Sequence, residues 1–159
     1  MMNDYIMKIV EQFVQALLTI TQRRKAHDYQ EARQLVRTTG RSLLGMDIDI
    51  LLFLTDDQIL DQFKDFAGQL EIQRCVLGAD LFYELALIEE AELRTHAAKR
   101  LKTLSLYLYT HAIPKEPQFQ QTAYYEKISA LIEELEGSPL SDEALVNIEN
   151  YTQFICNKQ

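Results

Sequence analysis

An all-α chain of about seven or eight helices, paired as antiparallel hairpins, is what the sequence predicts, and three observations predict it. Apolar residues return at every third or fourth position along most of its length, the period of a helix that buries one face. Only five Gly and three Pro punctuate 159 residues, fewer turn residues than a sheet-rich domain of this size uses. The polar breaks between periodic stretches are short, so successive helices must fold back on one another. Spacing alone fits both a stacked array of pairs and a closed, irregular helical bundle.

The first helix is expected from about Asp4 to about Lys25, on Ile6, Ile9, Val10, Phe13, Leu17 and Ile20. Met7, Val14 and Leu18 widen its apolar face, so it is predicted to be covered from more than one side. That cover is either the rest of the monomer or a second copy. Arg23-Arg24-Lys25 stand at its end, where cations suit the helix dipole. Asp28 and Glu31 have the spacing of a reciprocal cap and open a second helix. Ala32, Leu35, Val36, Leu43 and Leu44 make its inner side, and Gly45 supplies a stop.

Met46 to Leu54 begins with strand-like alternation and then breaks it, which predicts a short buried helix, with a lone strand as the alternative. Thr55 and Gln58 form another capping box, opening a short helix with Ile59, Leu60 and Phe63 that reaches about Phe66. Long helices follow over about Ile72 to Leu93 and Thr95 to Ala112, joined by a short polar turn. Pro114 and Pro117 stop that pair. A seventh helix spans about Gln118 to Glu136, and Ser141 caps an eighth. No linker divides the chain, so 1–159 is predicted as one domain, with repeat-like pairs at about 4–45 and 72–112 and C-terminal helices over about 118–157.

Apolar residues make up 47% and charged residues 25%, ordinary values for a globular domain. A chain of roughly 150 residues hides about 70% of its unfolded surface and needs neither disulfide nor metal to fold. The net charge of −8 is spread along the chain. It repels phosphate backbones and anionic lipid, so neither nucleic acid nor membrane is an expected partner, whereas a protein with a basic patch is. Met1-Met2-Asn3-Asp4-Tyr5 lacks the basic and apolar stretches of a secretion leader, and the apolar run Ile48 to Leu54 is too short to span a bilayer. Cys75 and Cys156 fit no metal or redox spacing. Both fall on apolar runs and are expected as buried thiols of a cytoplasmic protein.

Two segments carry a resemblance. Ala26-His27-Asp28-Tyr29-Gln30-Glu31-Ala32, entering a helix with Leu35 and Val36, resembles the turn and second-helix start of a tetratricopeptide repeat. A second unit has Phe82, Leu85 and Ala86 on one helix and Ala97, Leu101 and Leu104 on the next. Ala86 and Ala97 stand where close helix approach needs small residues, with the register one residue off the repeat pattern. The chain also looks like a family of uncharacterised bacterial proteins built from such pairs. That likeness is carried by Asn3-Asp4-Tyr5-Ile6-Met7, Asp28-Tyr29-Gln30-Glu31-Ala32 and Gly45-Met46-Asp47-Ile48-Asp49-Ile50-Leu51-Leu52, within about the first 110 residues. The resemblance implies a fold of helix pairs and no particular activity.

Chemistry-bearing patterns are sparse. His27, His96 and His111 share no ligand spacing. Asp47 and Asp49 start like a calcium loop, but Leu51 and Leu52 follow where oxygen ligands and a glycine belong. No Gly-x-Ser-x-Gly occurs, and the glycines are isolated. Glu89-Glu90 and Glu133-Glu134 read as solvated faces. No catalytic residue, metal or cofactor is therefore assigned, and enzymatic activity is left undecided. Tyr107, Tyr109, Tyr124 and Tyr125 gather around the break between the sixth and seventh helices, and Tyr suits half-buried surfaces that meet a partner. On a helix, Tyr107 and Tyr109 face different ways, so at least one is expected outward. The predicted function is a protein-interaction or scaffold module using these tyrosines, self-associating through the first helix or binding another protein. The alternative is a small-molecule or enzymatic pocket between helices, with Tyr83, Glu92 and His96 as its members.

Overall fold

Apolar spacing becomes helix almost everywhere it occurs. The computed structural model describes residues 4–158, apart from the side chain of Ile6, so the expectations for Ile6 and for residues 1–3 fall outside it. Among the described residues are eight α-helices and no strand. They are α1 (Asp4–Lys25), α2 (Tyr29–Leu43), α3 (Ile48–Leu51), α4 (Asp56–Asp61), α5 (Ile72–Ala91), α6 (Thr95–Ala112), α7 (Thr122–Glu134) and α8 (Asp142–Asn157). Two 3-10 turns, Ile113–Lys115 and Pro117–Phe119, join α6 to α7. The protein is an all-α helical bundle. No helix among the described residues is long and apolar enough to cross a membrane.

Two predicted caps form as expected. Thr55 Oγ1 accepts from the Gln58 amide at 3.3 Å while Gln58 Oε1 accepts from the Thr55 amide at 3.0 Å. Ser141 Oγ accepts from the Ala144 amide at 3.1 Å and starts α8. Asp47 is a cap as well: its carboxylate accepts from the amides of Asp49 and Ile50 and opens α3.

Asp28 departs from expectation, because its side chain makes no capping bond. The backbone supplies the turn instead. His27 takes a left-handed φ of 62°, the Asp28 amide donates to Arg23 O at 2.9 Å, and the His27 amide donates to Arg24 O at 3.0 Å. This is a Schellman stop, which satisfies the last carbonyls of α1 without a side chain. The turn between α5 and α6 repeats it bond for bond. Leu93 has φ 62°, Arg94 donates to Glu89 O at 2.9 Å, and Leu93 donates to Glu90 O at 3.0 Å. The two hairpins therefore correspond at one constant offset: His27 with Leu93, Asp28 with Arg94, Ala32 with Ala98. Ala32 and Ala98 are both buried. Within the chain the two turns are in register with each other, and Ala98, rather than the expected Ala97, is the small residue turned inward.

Other ends move for local reasons. α4 stops at Asp61 rather than near Phe66, since Asp65 Oδ1 takes the amides of Ala67 and Gln69, each at 2.9 Å, and bends the chain. α7 begins at Thr122 rather than Gln118, because Pro117 opens a separate 3-10 turn in which Glu116 accepts from the Gln118 amide at 3.3 Å. Cys156 is exposed, against expectation, while Cys75 is buried and its Sγ points at Leu108 O, 3.6 Å away.

α5 and α6 are the central pair. α1 and α2 lie against α5, and α7 and α8 lie against α6. Covered from several sides, α5 is buried without interruption from Cys75 to Phe82, and α6 from Leu104 to Thr110. Most polar groups inside are matched; the buried Tyr151 hydroxyl has no partner among the described residues. Ser105 Oγ donates to Ala79 O at 2.9 Å, and Asn147 of α8 donates to Tyr107 O at 3.3 Å and to Thr110 Oγ1. Lys102 is buried and held by Glu90 and Glu134, which keep it charged against the pull of burial. Glu89, expected on a solvated face, is buried too. Burial pushes its carboxyl up, but Arg94 and Arg33 outweigh that and hold it below its ordinary range. The pairs Arg33–Glu89 at 2.7 Å and Arg94–Glu89 at 2.6 Å tie the α5–α6 turn to α2.

Candidate functional site

A lone carboxylate interrupts the apolar run from Cys75 to Phe82. It is Asp80, and α5 turns it toward α6 and α7 rather than to water. Its Oδ1 accepts from the Tyr109 hydroxyl of α6, and its Oδ2 accepts from the Tyr124 hydroxyl of α7 at 3.2 Å. Lys127, one helical turn after Tyr124, brings its Nζ to 3.9 Å from Asp80 Oδ1 and donates to Tyr109 Oη at 3.4 Å. Three rings surround that ammonium, with centroids at 4.5 Å for Tyr83, 5.6 Å for Tyr109 and 5.9 Å for Tyr124. Tyr83, the nearest, presents the negative face that attracts a cation, whereas Tyr109 meets the ammonium through its hydroxyl edge. Burial pushes the Asp80 carboxyl up, against the pull of Lys127 and the two hydroxyls. Burial and the Asp80 charge push Tyr109 and Tyr124 up, so both remain neutral donors.

The cluster opens on a groove of about 440 Å³ between α1 and the start of α7. Its walls are Val14, Leu17 and Leu18 on one side and Ala123 and Tyr124 on the other, with Asp80 and Glu84 between. Glu84 binds Arg24 at 2.9 Å and accepts from Thr21 Oγ1 at 2.9 Å. Among the described residues nothing covers the outer side of α1 within the monomer. Met7 is 48% exposed, Val14 53% and Leu18 51%, whereas Phe13 and Ile20 on the inner side are fully buried.

Of the four tyrosines singled out from sequence, the structure brings two together: Tyr109 and Tyr124, whose rings are 5.6 Å apart. Tyr107 and Tyr109 are both buried, so neither points outward. The reason is α6 itself, which is flanked by α5 on one side and by α7 and α8 on another. Tyr107 serves elsewhere, donating to Asp57 and meeting His111 edge-on at 4.7 Å. Tyr125 is half-buried and lines a shallow surface between α7 and α8. Asp80, Glu84 and Lys127 escaped sequence reasoning. The one signal for Asp80 was a single charge inside an otherwise apolar run; Lys127 had none.

Tyr83, Glu92 and His96 have separate surroundings. Tyr83 lies against Lys127, Glu92 is bound by Arg33 and Arg94, and His96 is exposed on a cleft of about 780 Å³ between α4, α6 and the start of α8. In that cleft Asp56 already binds Arg100 at 2.5 Å and accepts from Ser141 Oγ at 3.2 Å. Among the described residues no three His, Cys, Asp or Glu side chains gather as a metal set. Compared with protein families, curated proteins and solved structures, the chain matches none.

His111 carries a pH prediction. Burial, then Lys115, pushes its imidazole down from 6.5 to about 4. The unfolded chain therefore takes up a proton that the folded chain refuses across that window, so stability is present above it and falls as pH drops through it. Urea melts between the two values should show a shallower fall for His111→Gln than for the wild type; equal slopes would contradict the assignment.

Proposed function

We propose that the chain is a protein-interaction module that receives an amphipathic helix, with basic residues among its apolar ones, in the groove between α1 and α7. The half-exposed stripe of Met7, Val14 and Leu18 beside that groove carries the proposal. Covering half of a Leu or Val side chain stabilises by about 1 kcal/mol, so three such residues with Leu17 and the Tyr124 ring supply a useful docking energy. Charge selects the partner. Asp80 and Glu84 in the groove are already matched by Lys127 and Arg24, so the selecting field is that of the whole chain, which carries −8. A basic helix is drawn in, whereas two copies of this chain repel at long range. The resemblance to tetratricopeptide repeats, whose stacked pairs dock helices and peptides on a concave face, supports the same function, as does the turn shared by the two hairpins. A cytoplasmic setting belongs to the proposal and is supported by two cysteines left as free thiols. The cleft beside His96 favours the alternative, a small-molecule site, on size alone.

A native pull-down with the wild type and with Val14→Glu/Leu18→Glu tests this. The expected result is a partner held by the wild type and lost from the double variant, whose circular dichroism and melting stay unchanged. A partner held equally by both overturns it. Sedimentation of the wild type alone reports on self-association through α1: a monomer is expected, and a dimer broken by the same pair of substitutions would make the occupant a second copy.

A further inference from the structure

We propose that Tyr83, Tyr109, Tyr124 and Asp80 form a receptor for a primary alkylammonium group, filled in the isolated chain by Lys127 and taken over by a lysine of the docked helix. The source of that lysine rests on helix docking in the α1–α7 groove; the receptor itself does not. Its frame stands without Lys127. Asp80 holds the hydroxyls of Tyr109 and Tyr124 with one oxygen each, and Phe119 braces Tyr124 edge-on at 6.1 Å. Tyr109, Tyr124 and the carboxylate thus keep their places on α6, α7 and α5 whichever ammonium lies among them, and Tyr83 of α5 adds its face to that frame. Lys127 is the movable part. Its side chain is 31% exposed, and it is a long arm able to swing from the groove into water.

The chemistry selects the ligand class. A buried carboxylate, the face of Tyr83 and the hydroxyl of Tyr109 favour a cation over a neutral or anionic group. The Tyr109 hydroxyl oxygen, 3.4 Å from the ammonium, accepts an N–H bond that a quaternary ammonium cannot give. Opening onto the apolar walls of Val14, Leu17 and Leu18, the receptor suits an ammonium on an alkyl stem.

Binding of n-butylammonium to the full chain, followed by tyrosine emission, tests this. Lys127 competes as a tethered ligand at high effective concentration, so Lys127→Ala should bind the probe about tenfold more tightly than the wild type. Adding Tyr83→Leu should remove several-fold of that gain, and n-butanol should not bind. Lys127→Ser, checked by circular dichroism, repeats the test should the Ala variant unfold. Equal affinity in the wild type and the Lys127 variants, or equal binding of n-butanol, overturns the proposal. Met7→Glu separates the two claims: Met7 lies on the exposed stripe outside the groove's walls, so the variant should keep the probe and weaken the helix. A probe that never binds a protein that still docks helices sinks the receptor alone, and the reverse outcome sinks helix docking alone.

Discussion

Truncating Phe63 to Ala should lower the unfolding free energy by about 3–5 kcal/mol, the range for emptying a buried aromatic site. The ring is fully buried and lies over Gly78 of α5, where an added Cβ would sit 2.5 Å from its Cζ and 2.6 Å from Cε1. Glycine has no side chain with which to fill the hole, so the site relaxes little. Arg74 adds a cation 5.7 Å from the same ring, linking the irregular stretch after α4 to α5. The converse substitution tests the same contact. Gly78→Ala gains about 1 kcal/mol of helix propensity, yet forces the buried ring to move at a cost of about 1–3 kcal/mol. A net loss is expected, and Phe63→Leu in that background should recover part of it. Additive effects in urea denaturation would show that the two positions do not touch.

Asp80→Ala should destabilise by about 3 kcal/mol, since it leaves the fully buried Tyr109 hydroxyl without its acceptor and frees Tyr124 and Lys127. Asp80→Asn keeps an acceptor oxygen and should lose far less. The pH dependence has a definite sign. Burial raises this carboxyl above its ordinary range, so its contribution is fully present below the unfolded pKa and is lost as pH rises through the folded one. The difference between wild type and Asp80→Asn should therefore move in favour of Asn as pH rises. Ala and Asn variants of equal stability would contradict the bonds assigned to Asp80.

Much of this architecture is legible in the spacing of apolar residues. α1 and α6 begin and end where their periodicity does, and the Thr55–Gln58 box and the Ser141 cap are local bonds between neighbours in sequence. What escaped is set by groups distant in the chain or by backbone geometry. Asp28 has a good capping pattern, but the left-handed His27 beside it lets the backbone close the turn instead. Tyr107 and Tyr109 need one exposed face between them only if α6 is covered on one side; α5, α7 and α8 together cover both. The groove reflects the opposite case. An apolar face as wide as that of α1 predicted cover from several sides, and within the monomer α2 and α5 cover only one. Asp80 and Lys127 meet across α5 and α7, a pairing that no periodicity encodes.

Helix docking in the α1–α7 groove is tested most directly by amide hydrogen exchange on the full chain, with and without a synthetic amphipathic helix of leucines and lysines. Slower exchange over residues 14–21 and 123–127, absent in Leu18→Glu, is the expected result. Protection confined to the cleft between α4 and α6, or protection that persists in Leu18→Glu, would contradict it.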